Sequence, residues 1–166
     1  MQTGLDEKVV LVTGGAGGIG EEICKAFASE GSKVIVHYHS SSENATKIAD
    51  EIQGFSIKAD LTESSETKLM FEKIVEKYGR IDVCIANAGY YPPEPLPLWD
   101  IDPERWKKTI SSNLDVSVNT ARNFLRHASK KKSGSIVFIG STAGIYGEAG
   151  HSDYAAAKGA ITSGLL

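Results

Sequence analysis

Tyr154 and Lys158 stand four residues apart near the end of the sequence, and of all its pairs this one carries the clearest chemistry. On a helix that spacing puts both side chains on one face, one turn from each other. An ammonium beside a phenol favours the phenolate, so such a tyrosine can pass a proton to or from a substrate oxygen. Ser141 comes just after an apolar run, Ser135 to Ile139, and its hydroxyl could orient the same oxygen. A hydrolase built on Ser141, His151 and Asp153 is the rival use of these residues. The nucleophile elbow of that fold requires Gly-x-Ser-x-Gly, but residue 139 is Ile, and His151 precedes Asp153 where the fold has the acid first. Both features speak against it.

A second stretch points to a ligand. Val9 to Val12 is a short apolar run that empties into Thr13-Gly14-Gly15-Ala16-Gly17-Gly18-Ile19-Gly20. The run reads as a strand buried on both faces. Beyond it the sequence has helical period through Ile19, Ile23, Ala26 and Phe27 and stops at Gly31. Strand, glycine turn and helix aim unpaired amide groups and the positive end of the helix dipole at the turn, which suits a phosphate. Gly15 to Gly20 has P-loop spacing, but Glu21 and Glu22 stand where that site needs Lys and Ser or Thr. Two carboxylates would repel a triphosphate. A dinucleotide pyrophosphate held by backbone remains, on either of two glycine spacings, Gly15, Gly17, Gly20 or Gly14, Gly18, Gly20.

The rest of the chain supplies the scaffold. With 166 residues, 41% hydrophobic and 23% charged, it reads as one domain with a substantial core. A net charge of -3 and a single tight basic run, Lys130 to Lys132, give no nucleic-acid surface. No apolar stretch approaches a membrane span of about 20 residues. Together with an N-terminus that lacks a signal pattern, this makes a cytoplasmic location the expectation. Cys24 and Cys84 fit no metal-ligand spacing and read as reduced core residues.

Further strands are expected at Lys33 to Tyr38, Phe55 to Ala59, Ile81 to Ala86 and Ser135 to Ile139. Helices alternate with them. One begins after the polar loop Ser40 to Ser42, one is capped by Thr62, and one starts at Asp102 and Pro103. The last has its stripe on Trp106, Ile110, Leu114, Val118, Ala121 and Leu125 and runs to about Lys130. The alternation implies an α/β fold, a doubly wound parallel sheet with right-handed crossovers. Ligands of such sheets bind beyond the carboxyl ends of the strands. That selects Gly14 to Gly20, Tyr38 to Ser42, Asp60, Asn87 to Gly89, and Ser141, with Tyr90, Tyr91, Tyr146 and His151 at the substrate side.

In order and spacing, Thr13-Gly14-x-x-x-Gly18-Ile19-Gly20, Asp60, Asn87-Ala88-Gly89, Asn113, Ser141 and Tyr154-x-x-x-Lys158 resemble the short-chain dehydrogenase/reductase family. The likeness covers nearly the whole chain and extends to oxoacyl-carrier-protein reductases and sugar dehydrogenases. It implies a Rossmann-like sheet ordered 3-2-1-4-5 and an NAD(P)-dependent oxidoreductase acting on a small carbonyl or secondary alcohol. Tyr154 would be the acid/base, Lys158 its partner and a ligand of the nicotinamide ribose, Ser141 the holder of the substrate oxygen, and Asn113 a link in a proton relay. The cofactor would lie on Gly14, Gly18, Ile19, Gly20, Asp60, Leu61, Asn87, Ala88 and Gly89.

Tyr38 departs from the pattern, since an acid there would select NAD by bonding both ribose hydroxyls. Its absence favours NADP, with His39 and Ser40 as phosphate contacts. The resemblance also implies a homo-oligomer, and a chain that lacks the family's last two strands. The residues give the same expectation independently: Ile136 to Ile139 is apolar at four consecutive positions and would be an exposed edge in that order, so residues 1–166 are expected to be one truncated domain with little turnover, a dinucleotide-binding fragment inclined to pair through its fifth strand.

Overall fold

The computed structural model describes residues 3–165. Five short strands form one sheet: β1 (Val9–Val12), β2 (Lys33–Tyr38), β3 (Phe55–Lys58), β4 (Val83–Ala86) and β5 (Ser135–Phe138). All neighbours are parallel and the order is β3-β2-β1-β4-β5, the expected Rossmann-like topology. In the central register Leu11 lies between Ile35 and Cys84.

The helices are α1 (Gly18–Ser29), α2 (Ser42–Glu51), α3 (Ser64–Tyr78), α4 (Pro103–Ile110), α5 (Val116–Lys131), α6 (Ala143–Tyr146) and α7 (Ser152–Gly164). They cover both faces of the sheet, which is why β1 is apolar at every position rather than at alternate ones. Val9, Leu11 and Ile35 pack on Phe71 and Ile74 of α3 and Phe124 of α5. Val10, Val12, Val34 and Val36 face the other way, onto Cys24 of α1 and Ile48 of α2. Cys24 and Cys84 are free and buried within these layers, and burial pushes the Cys24 thiol up to about 12.

Three expectations need correction. The helix starting at Pro103 is not continuous, because a π turn, Ser111–Asp115, separates α4 from α5. The turn rotates the face beyond it, so Val116, Ala121, Phe124 and Ala128 are buried while Leu125 is 54% exposed. Thr62 does not cap α3. Its amide and hydroxyl both donate to Asp60 Oδ1, and the helix starts after Glu63. Ile19 is 65% exposed and leaves the apolar face of α1 to Cys24, Ile23 and Phe27.

Strand boundaries differ by a residue or two. β4 begins at Val83 because the Ile81 amide donates to the His127 ring instead of to a neighbouring strand. At the β5 edge Val137 is 46% exposed.

Candidate active site

The glycine turn is held by side chains just past the ends of β1 and β4. Thr13, at the end of β1, accepts the amides of Asn87 and Ala88 on its hydroxyl and donates to the Ile85 carbonyl. Asn87 returns the contact, its Nδ2 donating to the carbonyls of Thr13 and Gly14. These bonds close the carboxyl ends of β1 and β4 against each other.

Within the turn the glycines divide by what surrounds them. Gly14 has φ of +63°, and a Cβ there would meet the Ala88 Cα at 2.9 Å. A Cβ on Gly20 would lie 2.2 Å from the Gly14 carbonyl oxygen. Both positions therefore require glycine for close backbone approach. Gly18 has nothing within 4 Å of the same point. The amide of Gly17 is bonded to the Gly14 carbonyl, and the first intrahelical bond of α1 runs from Glu21 to Gly17. By helix geometry the amides of Gly18, Ile19 and Gly20 have no intrahelical partner. They face a cleft of about 690 Å³ bounded by Gly14 and Gly18 to Gly20 on one side and Tyr38, His39, Ser40 and Asn87 to Gly89 on the other.

A second cleft of about 400 Å³ continues from it, sharing His39, Ala88 and Gly89 and adding Asp60, Leu61, Thr62 and Lys108. Asp60 Oδ2 lies 3.6 Å from His39 Nε2. The Thr62 hydroxyl bond holds the Asp60 carboxyl below its ordinary value. The Leu61 side chain is buried in the core, so only its backbone is available to a ligand. Tyr38 is half-buried against the α2 side, while His39 and Ser40 are exposed.

The Tyr154 and Lys158 pair sits at the same sheet edge. Tyr154 and Lys158 lie on α7, with Lys158 Nζ 5.8 Å from the centre of the phenol ring. Lys158 is buried and donates to the Ile139 carbonyl just past β5 at 2.7 Å. Burial lowers its pKa. Ser141 is on the loop from β5 to α6, where its Oγ accepts the Ala143 amide. That loop is pressed on α7, since a Cβ on Gly144 would be 2.6 Å from the Lys158 carbonyl carbon.

Asn113 sits in the π turn, 0% exposed. Its Nδ2 donates to the carbonyls of Tyr90 and Thr109, and its Oδ1 accepts the Tyr90 amide. Both donors are thus engaged, and one lone pair of Oδ1 remains. Gly89 lies between the two side chains, its Cβ point 2.8 Å from Asn113 Oδ1 and 3.7 Å from Lys158 Nζ. Asn113, Gly89 and Lys158 therefore meet.

Asp153 and His151 do not form a triad with Ser141. The buried Asp153 carboxylate accepts Arg105 Nε at 3.1 Å and the Thr109 hydroxyl at 2.9 Å. Burial alone would raise its pKa, but these two bonds, the Tyr154 amide and the Arg105 charge together outweigh it and the net direction is down. His151 donates from Nε2 to the Pro92 carbonyl and stacks on Tyr91, the ring centres 4.5 Å apart. Tyr91 in turn donates to Glu148 at 2.5 Å and meets Tyr154 edge-on at 5.0 Å.

Arg105 and Glu148 join the site without any signal in the sequence. Arg105 is 48 residues from Asp153, and no spacing links them. Tyr146 is exposed at the end of α6, and Tyr90 lies under the Lys108 ammonium at 4.7 Å.

A parallel sheet in this order, with a glycine turn at its carboxyl edge and a Tyr-Lys pair on the last helix, defines an α/β protein of Rossmann-like fold. Residues 8–164 match the short chain dehydrogenase family, and the chain belongs to it. It is 37% identical over 162 residues, 95% of its length, to a 3-oxoacyl-(acyl-carrier-protein) reductase of Thermotoga maritima. A reductase of the same name from Staphylococcus aureus is 31% identical over 159 residues, covering 93% of the chain and 64% of the relative. A cis-4-hydroxycyclohexanecarboxylate dehydrogenase of Sinomonas cyclohexanicum is 30% identical over 162 residues, covering 95% and 64%. The chain spans about 65% of the length of the curated relatives it matches.

Proposed function

We propose that this chain carries the cofactor site and the proton-transfer residues of an NAD(P)-dependent oxidoreductase that interconverts a carbonyl and a secondary alcohol. The observation that carries the reading is the convergence of Lys158, Gly89 and Asn113 on one strand edge with the unpaired amides of Gly18 to Gly20. Two continuous clefts of about 690 and 400 Å³ give a dinucleotide the room it needs. The relatives' names share this chemistry, since an oxoacyl group and a hydroxycyclohexane are one a ketone and the other a secondary alcohol.

The cofactor, when bound, supplies or takes the hydride. The protein's residues do the rest. Amides at the start of α1 hold the pyrophosphate without a side-chain cation. Asp60 and the Leu61 backbone meet the adenine, while Asn87, Ala88 and Gly89 line the cofactor on the β4 side. Lys158 has three donors, of which one goes to Ile139, leaving two for the ribose hydroxyls. Ser141 holds the substrate oxygen, and Tyr154 gives it a proton in reduction and takes one in oxidation. Asn113 acts by fixing Tyr90 and by offering its free lone pair to a proton relay.

NADP is the favoured cofactor over NAD, because Tyr38 puts no carboxylate against a 2′-phosphate and His39 and Ser40 are exposed beside it. The same reading makes the protein a cytoplasmic homo-oligomer, with residues 1–166 as one NAD(P)-binding domain. NAD(P)H absorbance with a panel of ketones and alcohols tests it. Turnover that falls about 10²-fold or more in Tyr154→Phe, the scale of lost general acid catalysis, supports it. Equal turnover in the variant overturns the role of Tyr154. Dinucleotide binding without turnover on any substrate would make the chain a binding unit alone.

A further inference from the structure

His37 is a buried polar residue near the carboxyl end of β2, 2% exposed between Val36 and Tyr38. Both of its ring nitrogens are engaged by backbone. Nδ1 lies 3.0 Å from the amide nitrogen of Gly14, and Nε2 lies 3.1 Å from the carbonyl oxygen of Ala59. An amide can only donate and a carbonyl can only accept, so the two partners together determine the proton's position. Nδ1 presents its lone pair, and Nε2 carries the hydrogen.

We propose that His37 is a positioning residue of the dinucleotide site: its neutral ring, protonated on Nε2, ties the Gly14 amide to the Ala59 carbonyl and so sets the glycine turn against the end of β3. This inference rests on the dinucleotide reading given above. Its force comes from what Gly14 does next. The Gly14 peptide is in the left-handed region, and its carbonyl accepts Gly17 and Asn87 while lying against Gly20. The His37 carbonyl accepts the neighbouring amide of Gly15 at 2.9 Å, so this one residue holds both amides that open the turn. On its other side the ring fixes Ala59, immediately before Asp60. The glycine turn and the adenine side of the cleft therefore share one brace, and His37 lines both clefts.

A second proton on the ring would set an N–H against the Gly14 N–H and break the brace. Burial disfavours that proton and pushes the ring's pKa down to about 4. The groups that face it are His39 on its own strand end, which disfavours the charge, and Asp60 beyond β3, which favours it. Lys108 lines the same cleft from α4. The Gly14 to Gly20 segment carries no ionisable side chain.

Three variants of the 166-residue chain, His37→Phe, His37→Gln and His39→Gln, test this with NADPH titration and amide exchange. Phe keeps a ring without nitrogens, and Gln keeps one acceptor and one donor. The expected result is a loss of NADPH affinity of about tenfold or more in the Phe variant, the scale of a lost bond in a preorganised site, with recovery in the Gln variant. The Gly14 amide exchanges faster in the first and stays protected in the second.

In the His39→Gln background, NADPH affinity should fall as pH approaches about 4. The part of that fall due to His37 should be lost when His37 is also Gln, leaving only the titration of Asp60 and of the nucleotide itself. A purely structural role would lower thermal stability in the Phe variant without this pH signature.

Imidazole nitrogen chemical shifts read the tautomer directly and need neither a variant nor a ligand. A proton on Nδ1, or a folded Phe variant with unchanged affinity and unchanged Gly14 protection, overturns the proposal. If the Phe variant does not fold, the tautomer and the Gln variant's pH profile decide it. Failure of the unaltered chain to bind NADPH or NADH would overturn the dinucleotide reading itself. The hold of His37 on Gly14 would still be decided by the nitrogen shifts and amide exchange.

Discussion

Gly18 and Gly20 are two residues apart in the same turn, and alanine at each should have opposite effects. At Gly20 the new Cβ meets backbone on two sides, the Gly14 oxygen at 2.2 Å and the Gly15 Cα at 2.8 Å. Neither can yield without moving β1, so the cost belongs at or above the top of the usual overpacking range of about 1–3 kcal/mol. For a domain of this size that is a fall in Tm of roughly 6–12 °C at about 3 kcal/mol. At Gly18 the Cβ meets nothing within 4 Å, and its backbone lies outside the left-handed region. Gly→Ala at a compatible site stabilises by about 0.4–1 kcal/mol through the unfolded chain.

Ligand binding should not follow the gain in stability at Gly18. The open space beside Gly18 is where the proposed pyrophosphate approaches the amides. A methyl group there costs at least one hydrogen bond to a charged group, about 1.5–3 kcal/mol, or roughly 10- to 100-fold in affinity. Thermal unfolding and isothermal titration with NADPH on both variants read the two effects separately. A Gly18→Ala chain that is folded, as stable as the parent and unchanged in NADPH affinity would refute the assignment of the phosphate site to this turn.

The same geometry sets two other outcomes. Tyr38→Asp should shift the ratio of NADPH to NADH affinity toward NADH, because a carboxylate there opposes a 2′-phosphate; an unchanged ratio in parallel titrations would mean that residue 38 does not face the ribose. Stability should be flat above about pH 6.5 and fall below it, because His37 and His127 accept amides from Gly14 and Ile81 as neutral rings. Burial lowers both of their pKa values in the fold, so the unfolded chain binds the extra protons, and the loss continues toward about pH 4 for His37. Denaturant midpoints across this range, with Gln at either position flattening the slope, check it.

The sheet is legible in the sequence because periodicity and glycine placement are local signals. Val9 to Val12 is apolar at four consecutive positions because helices cover both faces, and with the alternation of strands and helices that announces a parallel sheet. The residues proposed for proton transfer are legible for a different reason, as Tyr154 and Lys158 are one turn apart on one helix. The break at Ser111–Asp115 is not legible, since a π turn leaves the apolar spacing nearly helical while rotating the face beyond it. Thr62 reads as a cap although it is none, because its hydroxyl can either accept an amide of α3 or donate to Asp60, and the turn carboxylate is nearer in sequence. Arg105 with Asp153, and His37 with Gly14, depend on tertiary placement across 48 and 23 residues, for which no local pattern exists.

The central claim is that a dinucleotide lies along the carboxyl edge of this sheet, from the glycine turn to Tyr154 and Lys158. Backbone amide chemical shifts of the chain, recorded during titration with NADPH, test it most directly. Saturable shifts are expected at Gly18, Ile19, Gly20, Asp60, Gly89 and the first turns of α7, with the groove between α3 and α5 unmoved. Saturable shifts confined to that groove, around Phe71, Val75 and His127, or no shifts at any NADPH concentration, would contradict it.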